Sequence, residues 1–247
     1  MTVHAVLFDL DDTLWRVEGT PDWDEITGLQ SVELAPHVAR LGFDHLDLAK
    51  FIRCFWCNWS AANSVPNPAL KELKPAATIQ ETLAEYGVEC ADGDAECLWE
   101  TLHNVPFRYF NIRPFPDAIS TVEALSAAGY RLVVITNRPL TPKIVGRELR
   151  DQGLPEVFEG IVTSGEVGFR KPHPLVFESA IRQLGVQPDE AVVVGDSYEN
   201  DIVPAAKLGM VPVLKLNGRE PDASWVLARY QVSSLAALLQ LEVFSRG

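Results

Sequence analysis

Three carboxylates, Asp9, Asp11 and Asp12, follow directly on the apolar run Val6-Leu7-Phe8. Residues two apart on an extended chain share a side, so Asp9 and Asp11 can face one pocket. A second apolar run, Val192-Val193-Val194, leads into Gly195-Asp196 and then Asp201. If both runs are parallel strands, their carboxyl ends reach one sheet edge, where open α/β sheets bind ligands. Carboxylates gathered there repel one another and raise each other's pKa. A hard divalent cation relieves that conflict, and magnesium suits one or two carboxylates completed by waters and a substrate phosphate. Either run alone also fits a strand ending in a solvated acidic turn; the pair of them favours a metal site.

Two more segments supply what a phosphoryl group needs. Val133-Val134-Ile135 ends in Thr136-Asn137, which offers a hydroxyl and backbone N–H donors. Lys171 lies in Gly168-Phe169-Arg170-Lys171-Pro172-His173-Pro174, where the prolines suit a helix start and hold the lysine stem near the sheet edge. It is a cation that could meet a phosphate without the metal.

The elements that must position these residues follow from pattern. Continuous apolar runs at 4–8, 131–135, 160–163, 191–194 and 211–216 suit strands buried on both faces of a parallel sheet. Helix-like segments fall between them at 118–128, 141–152, 174–184 and 200–207, and 232–241 can add a last short element. Such alternation predicts an α/β fold: a doubly wound, Rossmann-like parallel sheet. Residues 16–113 read differently. They lack a buried-strand run and carry helical patterns at 44–62, 76–86 and 91–103. The expected organisation is a core of 1–15 and 114–247, interrupted by a helical insertion over 16–113.

The charge of −13 argues against affinity for nucleic acid or anionic membrane, both themselves negative. The N-terminal stretch MTVHAVLFDLDDTLW lacks the basic start of a signal peptide, and no apolar run approaches the ~20 residues of a membrane span, so a cytoplasmic location is expected. Cys54 and Cys57 form a C-x-x-C in an aromatic helical pattern, whereas Cys90 and Cys97 are spaced too widely for a zinc knuckle. Reduced, mostly buried thiols are the expectation. Nothing in the sequence reports the oligomeric state.

Taken in order, these segments resemble the haloacid dehalogenase (HAD) superfamily. Its hhhhDxDxT motif matches Val6–Thr13, its hhhT/S motif Val133–Thr136, its lysine before proline Lys171-Pro172, and its GDxxxxD motif Gly195–Asp201. The resemblance implies that Asp9 is a nucleophile and Asp11 a general acid/base, that Thr136 and Lys171 hold the phosphoryl group, and that Mg2+ is held by Asp9, the Asp11 carbonyl and Asp196, with Asp201 supporting the metal shell. It identifies the insertion with a helical cap of the first type. Because the family's dehalogenases and phosphonate hydrolases lack an aspartate at the place of Asp11, it implies a phosphatase of small phosphate esters that works through a phospho-aspartyl intermediate. The alternatives are a phosphosugar mutase, which shares every core motif, and a non-catalytic phosphate- or metal-binding module. In the insertion, Arg16, Trp23, Arg53, Trp56, Trp59, His103 and Arg108 are candidate substrate contacts, although the spacing of Trp56 and Trp59 better suits a helix core.

Overall fold

The computed structural model describes residues 2–19 and 22–244. The chain divides into two compact units, Met1–Val17 with Ala69–Glu72 and Ile112–Gly247, and Glu18–Pro68 with Leu73–Asn111.

The first unit is built on a six-stranded sheet. In chain order its strands are β1 (Ala5–Phe8), β4 (Arg131–Thr136), β5 (Phe158–Thr163), β6 (Ala191–Gly195), β7 (Val211–Lys215) and β8 (Tyr230–Val232). The spatial order is β5-β4-β1-β6-β7-β8, with all neighbouring strands parallel. β1 lies centrally, with Phe8 level with Val134 on one side and Val194 on the other. The chain builds outward from β1 through β4 and β5, then returns to the other flank for β6 to β8. That reversal makes the carboxyl end of β1 a topological switch point, where a crevice opens between diverging connections.

Strands β1, β4, β6 and β7 are apolar without alternation because both faces are covered. Ala5, Leu7, Val133, Ile135 and Val193 are fully buried in one cluster, packed with Val176 and Phe177. Those two belong to one of the helices of this unit, α5 (Ala118–Ala127), α6 (Pro142–Asp151), α7 (Ser164–Val167), α8 (Pro174–Leu184) and α9 (Val203–Lys207), numbered after four helices of the second unit. α8 shows how sequence sets an element's bounds. His173 caps its first turn by accepting from the Leu175 N–H, Pro174 opens it, and Gly185 closes it at φ 63°. Between β6 and α9, Tyr198–Ile202 forms one turn of π-helix, capped by Ser197.

The second unit comprises α1 (Trp23–Arg40), α2 (Leu48–Ser64), α3 (Pro75–Ala84) and α4 (Asp92–Tyr109). Asp22 and Asp47 cap α1 and α2 with their side chains. Its core is aromatic: Phe55 is fully buried, and its ring lies 5.0, 6.1 and 6.5 Å from those of Trp56, Trp99 and Trp59. Arg108 pairs with Glu33, whereas Arg53 is exposed.

Several expectations needed correction. α1 was not anticipated, because Thr27 and Gln30 occupy buried positions of its inner face and Pro36 lies in its interior. Gln30 is satisfied there by donating to the Leu102 carbonyl and accepting from Trp56. Short strands β2 (Trp15–Glu18) and β3 (Asn111–Pro114) pair in a region expected to hold no strand; both are mostly uncovered, so neither carries a buried apolar run. Residues 69–72, expected within the insertion, group with the first unit, and Lys71 bridges to Phe169. The four cysteines are free but not buried: Cys57 is exposed and Cys54, Cys90 and Cys97 are half-buried. Among the described residues no helix is long and apolar enough to cross a membrane.

Candidate active site

Asp9 is the first residue beyond β1, and its N–H still donates to the Val194 carbonyl at 2.9 Å. This ladder bond fixes it at the switch point, where it is buried. Thr13 Oγ1 donates to Asp9 Oδ2 at 3.0 Å, and Lys171 Nζ donates to Asp9 Oδ1 at 2.5 Å. The same ammonium donates to Asp201 Oδ1 at 2.6 Å, and the Ser197 N–H donates to Asp201 Oδ2 at 3.1 Å. Lys171 thus bridges residues from the ends of β1 and of the β6 connection. An ammonium has three donors, so one remains for a further oxygen.

Carboxylate oxygens of Asp9, Asp196 and Asp201 all lie within 4.8 Å of one another. Three carboxylates against one ammonium leave a formal excess of two negative charges in a poorly solvated place. Burial, the largest effect, pushes Asp9 up to about 7; Lys171 opposes this, and Asp201 and Asp11 add to it. Asp196 is raised too, by burial first and then by Asp201 and Asp12. Burial disfavours the Lys171 ammonium, but Asp201 and Asp9 outweigh it and hold its pKa above the usual lysine range. Charge, oxygen donors and separations fit a hard divalent cation, which Asp9, Asp196 and Asp201 could hold.

Two features make the close approach possible. A Cβ built on Gly195 would overlap the Asp201 carboxyl group, so only glycine lets the acid turn in against β6. Arg219 donates to the carbonyls of Asp196 (2.6 Å), Lys215 (2.8 Å) and Leu216 (2.7 Å), tying the Asp196 backbone to the end of β7.

Thr136 ends β4, the other neighbour of β1. Its hydroxyl is buried, and Oγ1 has no hydrogen-bond partner among the described residues. A buried polar group left unmatched marks a place where a bound oxygen would be accommodated. The Asn137 side chain, as distinct from the backbone N–H expected to meet a phosphate, is engaged with Lys171. Its Nδ2 donates to the Lys171 carbonyl at 3.0 Å, and the Lys171 N–H donates to its Oδ1 at 2.6 Å. Asn137 therefore orients Lys171 through the backbone.

Asp11 stands apart from the three-carboxylate group. Its side chain is half exposed, and its Oδ1 accepts from Trp15 Nε1 at 2.8 Å. Arg138 Nε lies 3.9 Å from Asp11 Oδ2, and Arg138 Nη1 pairs at 2.5 Å with Glu148, which is buried. An indole and a guanidinium thus hold a carboxyl group at the rim, where proton exchange with solvent is open. Sequence reading gave no part to Thr13, Trp15, Arg138, Glu148 or Arg219. Thr13 alone carried a signal, as the last letter of its motif.

Residues 3–209 match the haloacid dehalogenase-like hydrolases. The chain belongs to that family. Among haloacid dehalogenase-like relatives, a glyceraldehyde 3-phosphate phosphatase of Methanothermobacter thermautotrophicus is 42% identical over 114 residues, 46% of this chain and 49% of that protein. A ribulose-1,5-bisphosphate 5-phosphatase of Halopiger xanaduensis is 28% identical over 220 residues, covering 89% of this chain and 87% of that one. The chain spans 49% to 60% of the length of four glyceraldehyde 3-phosphate phosphatases that it matches. In fold it resembles the solved 2-haloacid dehalogenase of Pseudomonas syringae pv. Tomato DC3000, with a TM-score of 0.65, 23% identity and 97% of each chain covered.

Proposed function

We propose that this chain is a Mg2+-dependent phosphatase of a small phosphorylated metabolite, acting in the cytoplasm through a phospho-aspartyl intermediate on Asp9. The observation that carries this reading is the Lys171 ammonium bridging Asp9 and Asp201 inside a three-carboxylate cluster, beside a strand that ends in an unpartnered hydroxyl. The relatives named as phosphatases of small phosphate esters support the choice of reaction.

Asp9 is the proposed nucleophile. Thr13 and Lys171 fix both of its oxygens, which limits rotation of the carboxylate and favours in-line attack. The third donor of Lys171 and the Thr136 hydroxyl would bind phosphoryl oxygens and stabilise charge in the transition state. Mg2+, held by Asp9 and Asp196 with Asp201 in support and the Asp11 carbonyl completing the set, would neutralise the acidic cluster and the phosphate charge. Asp11 would protonate the leaving oxygen, then accept a proton from the water that attacks phosphorus and frees Asp9. Asn137 serves as a positioning residue for Lys171.

The test is release of phosphate from p-nitrophenyl phosphate and from a panel of small phosphorylated metabolites, with Mg2+ and with a chelator. Metal-dependent turnover that disappears in Asp9→Asn is the expected result. Equal background rates in the wild type and the variant would overturn the reading, and interconversion of phosphosugar isomers with little net release would replace it by a mutase.

A further inference from the structure

The turn that carries Asp11 is held in an uncommon backbone conformation. Asp12 has φ 60°, in the left-handed region that residues other than glycine enter at a steric cost. Its carbonyl accepts two hydrogen bonds from the far side of β6: from Asn217 Nδ2 at 2.7 Å and from Lys215 Nζ at 3.2 Å. Lys215 also donates to Asn217 Oδ1, which closes a triangle of contacts. Asn217 is itself left-handed, at φ 51°.

Lys215 is a costly residue to place there. It is 2% exposed and ends a strand whose other residues are apolar. Its ammonium lies 3.1 Å from the centroid of the Phe115 ring. A buried lysine keeps its charge only where such partners replace water. All of these residues belong to one compact unit, and Lys215 and Asn217 converge on one peptide group, Asp12–Thr13, one residue beyond Asp11.

We propose that Lys215 and Asn217 are positioning residues for the proposed general acid, holding the Asp12 carbonyl so that the turn presents Asp11 to the leaving group. This rests on the phosphatase reading above and deepens it. A residue that acts through Asp11 has a kinetic signature which general stabilisation lacks. The p-nitrophenolate group departs without protonation, whereas phenolate is a far poorer leaving group and draws on the acid. Losing the clamp therefore slows phenyl phosphate selectively.

The variant of choice is Asn217→Gly, which removes the amide and keeps the left-handed backbone at an exposed position. Values of kcat/KM, which report the chain of steps up to phosphoryl transfer, are measured for both esters alongside the melting temperature. The expected result is a loss of roughly tenfold or more on phenyl phosphate, part of the 10²–10⁴ that a general acid supplies, with p-nitrophenyl phosphate changed by about twofold or less. Asn217→Asp, which presents an acceptor to the carbonyl, reproduces the loss. Lys215→Met gives the same selectivity if it folds; the exposed Asn217 variants carry the test if it does not. Asp11→Asn, which removes the acid itself, loses more on phenyl phosphate than either Asn217 variant. Equal losses on both esters, or none, overturn the clamp and leave the phosphatase reading standing. A wild type inactive on both esters, or an Asp9→Asn variant as active as wild type, overturns that reading and the clamp with it.

Discussion

At the scale of single residues, the site is governed by one ammonium set against three carboxylates. Burial raises Asp9 to about 7 from its ordinary value of about 4, so without metal the folded protein binds a proton there that the unfolded chain releases. Between these values the native state holds more protons than the unfolded state, and stability falls as pH rises. With metal chelated, the melting temperature of the wild type relative to Asp9→Asn is predicted to decline from pH 4 to 7 and level off above that. Thermal scans across this range check it; a difference independent of pH would mean that Asp9 is not strained in the fold. Asn137 offers a second test at this scale. Asn137→Ala removes two hydrogen bonds to the Lys171 backbone, and a displacement of the ammonium by a fraction of an ångström is expected to lower kcat about tenfold or more. Steady-state kinetics at saturating Mg2+ measures this, and an unchanged kcat would show that Lys171 is held by its carboxylates alone.

At the scale of elements, parallel strands bring distant sequence together. Gly195, the last residue of β6, admits the Asp201 carboxyl against the strand. Gly195→Ala is predicted to push Asp201 and its Lys171 contact outward and to lower kcat by about 10²-fold with the fold retained, as shown by unchanged circular dichroism. Leu7→Ala, deep in the core of central β1, should instead cost about 2–5 kcal/mol in denaturant unfolding, far more than a surface change. Strands β1, β4, β6 and β7 were legible because each is buried on both faces, which leaves an unbroken apolar run. Asp9, Asp196 and Asp201 were legible because each follows such a run, and parallel geometry then dictates their meeting. Short Tyr230–Val232 was not legible: three residues with only Val232 buried give no pattern. α1 was hidden by polar residues on its inner face, satisfied only by tertiary partners. The Asn137 side chain's grip on Lys171 and the Trp15–Asp11–Arg138 contacts depend on side-chain directions in loops, which no spacing encodes.

At the scale of the whole molecule, a charge of −13 is compatible with an anionic substrate if the acidic cluster holds a cation, which would invert the local sign. A metal that binds only the folded cluster should stabilise the chain. At a hundredfold excess over Kd, Mg2+ is predicted to raise the melting temperature by roughly 5–10 °C, and Asp196→Ala should remove most of that shift. Identical melting curves in chelator and in millimolar Mg2+ would rule out the cluster as a metal site. The measurement closest to the central claim is rapid acid quenching during turnover of p-nitrophenyl phosphate, followed by mass spectrometry of the peptide that contains Asp9. That peptide is predicted to carry one phosphoryl group, labile to hydroxylamine and absent from Asp9→Asn. Continued phosphate release with the Asp9 peptide unmodified, or with the phosphoryl group on another residue, would contradict it.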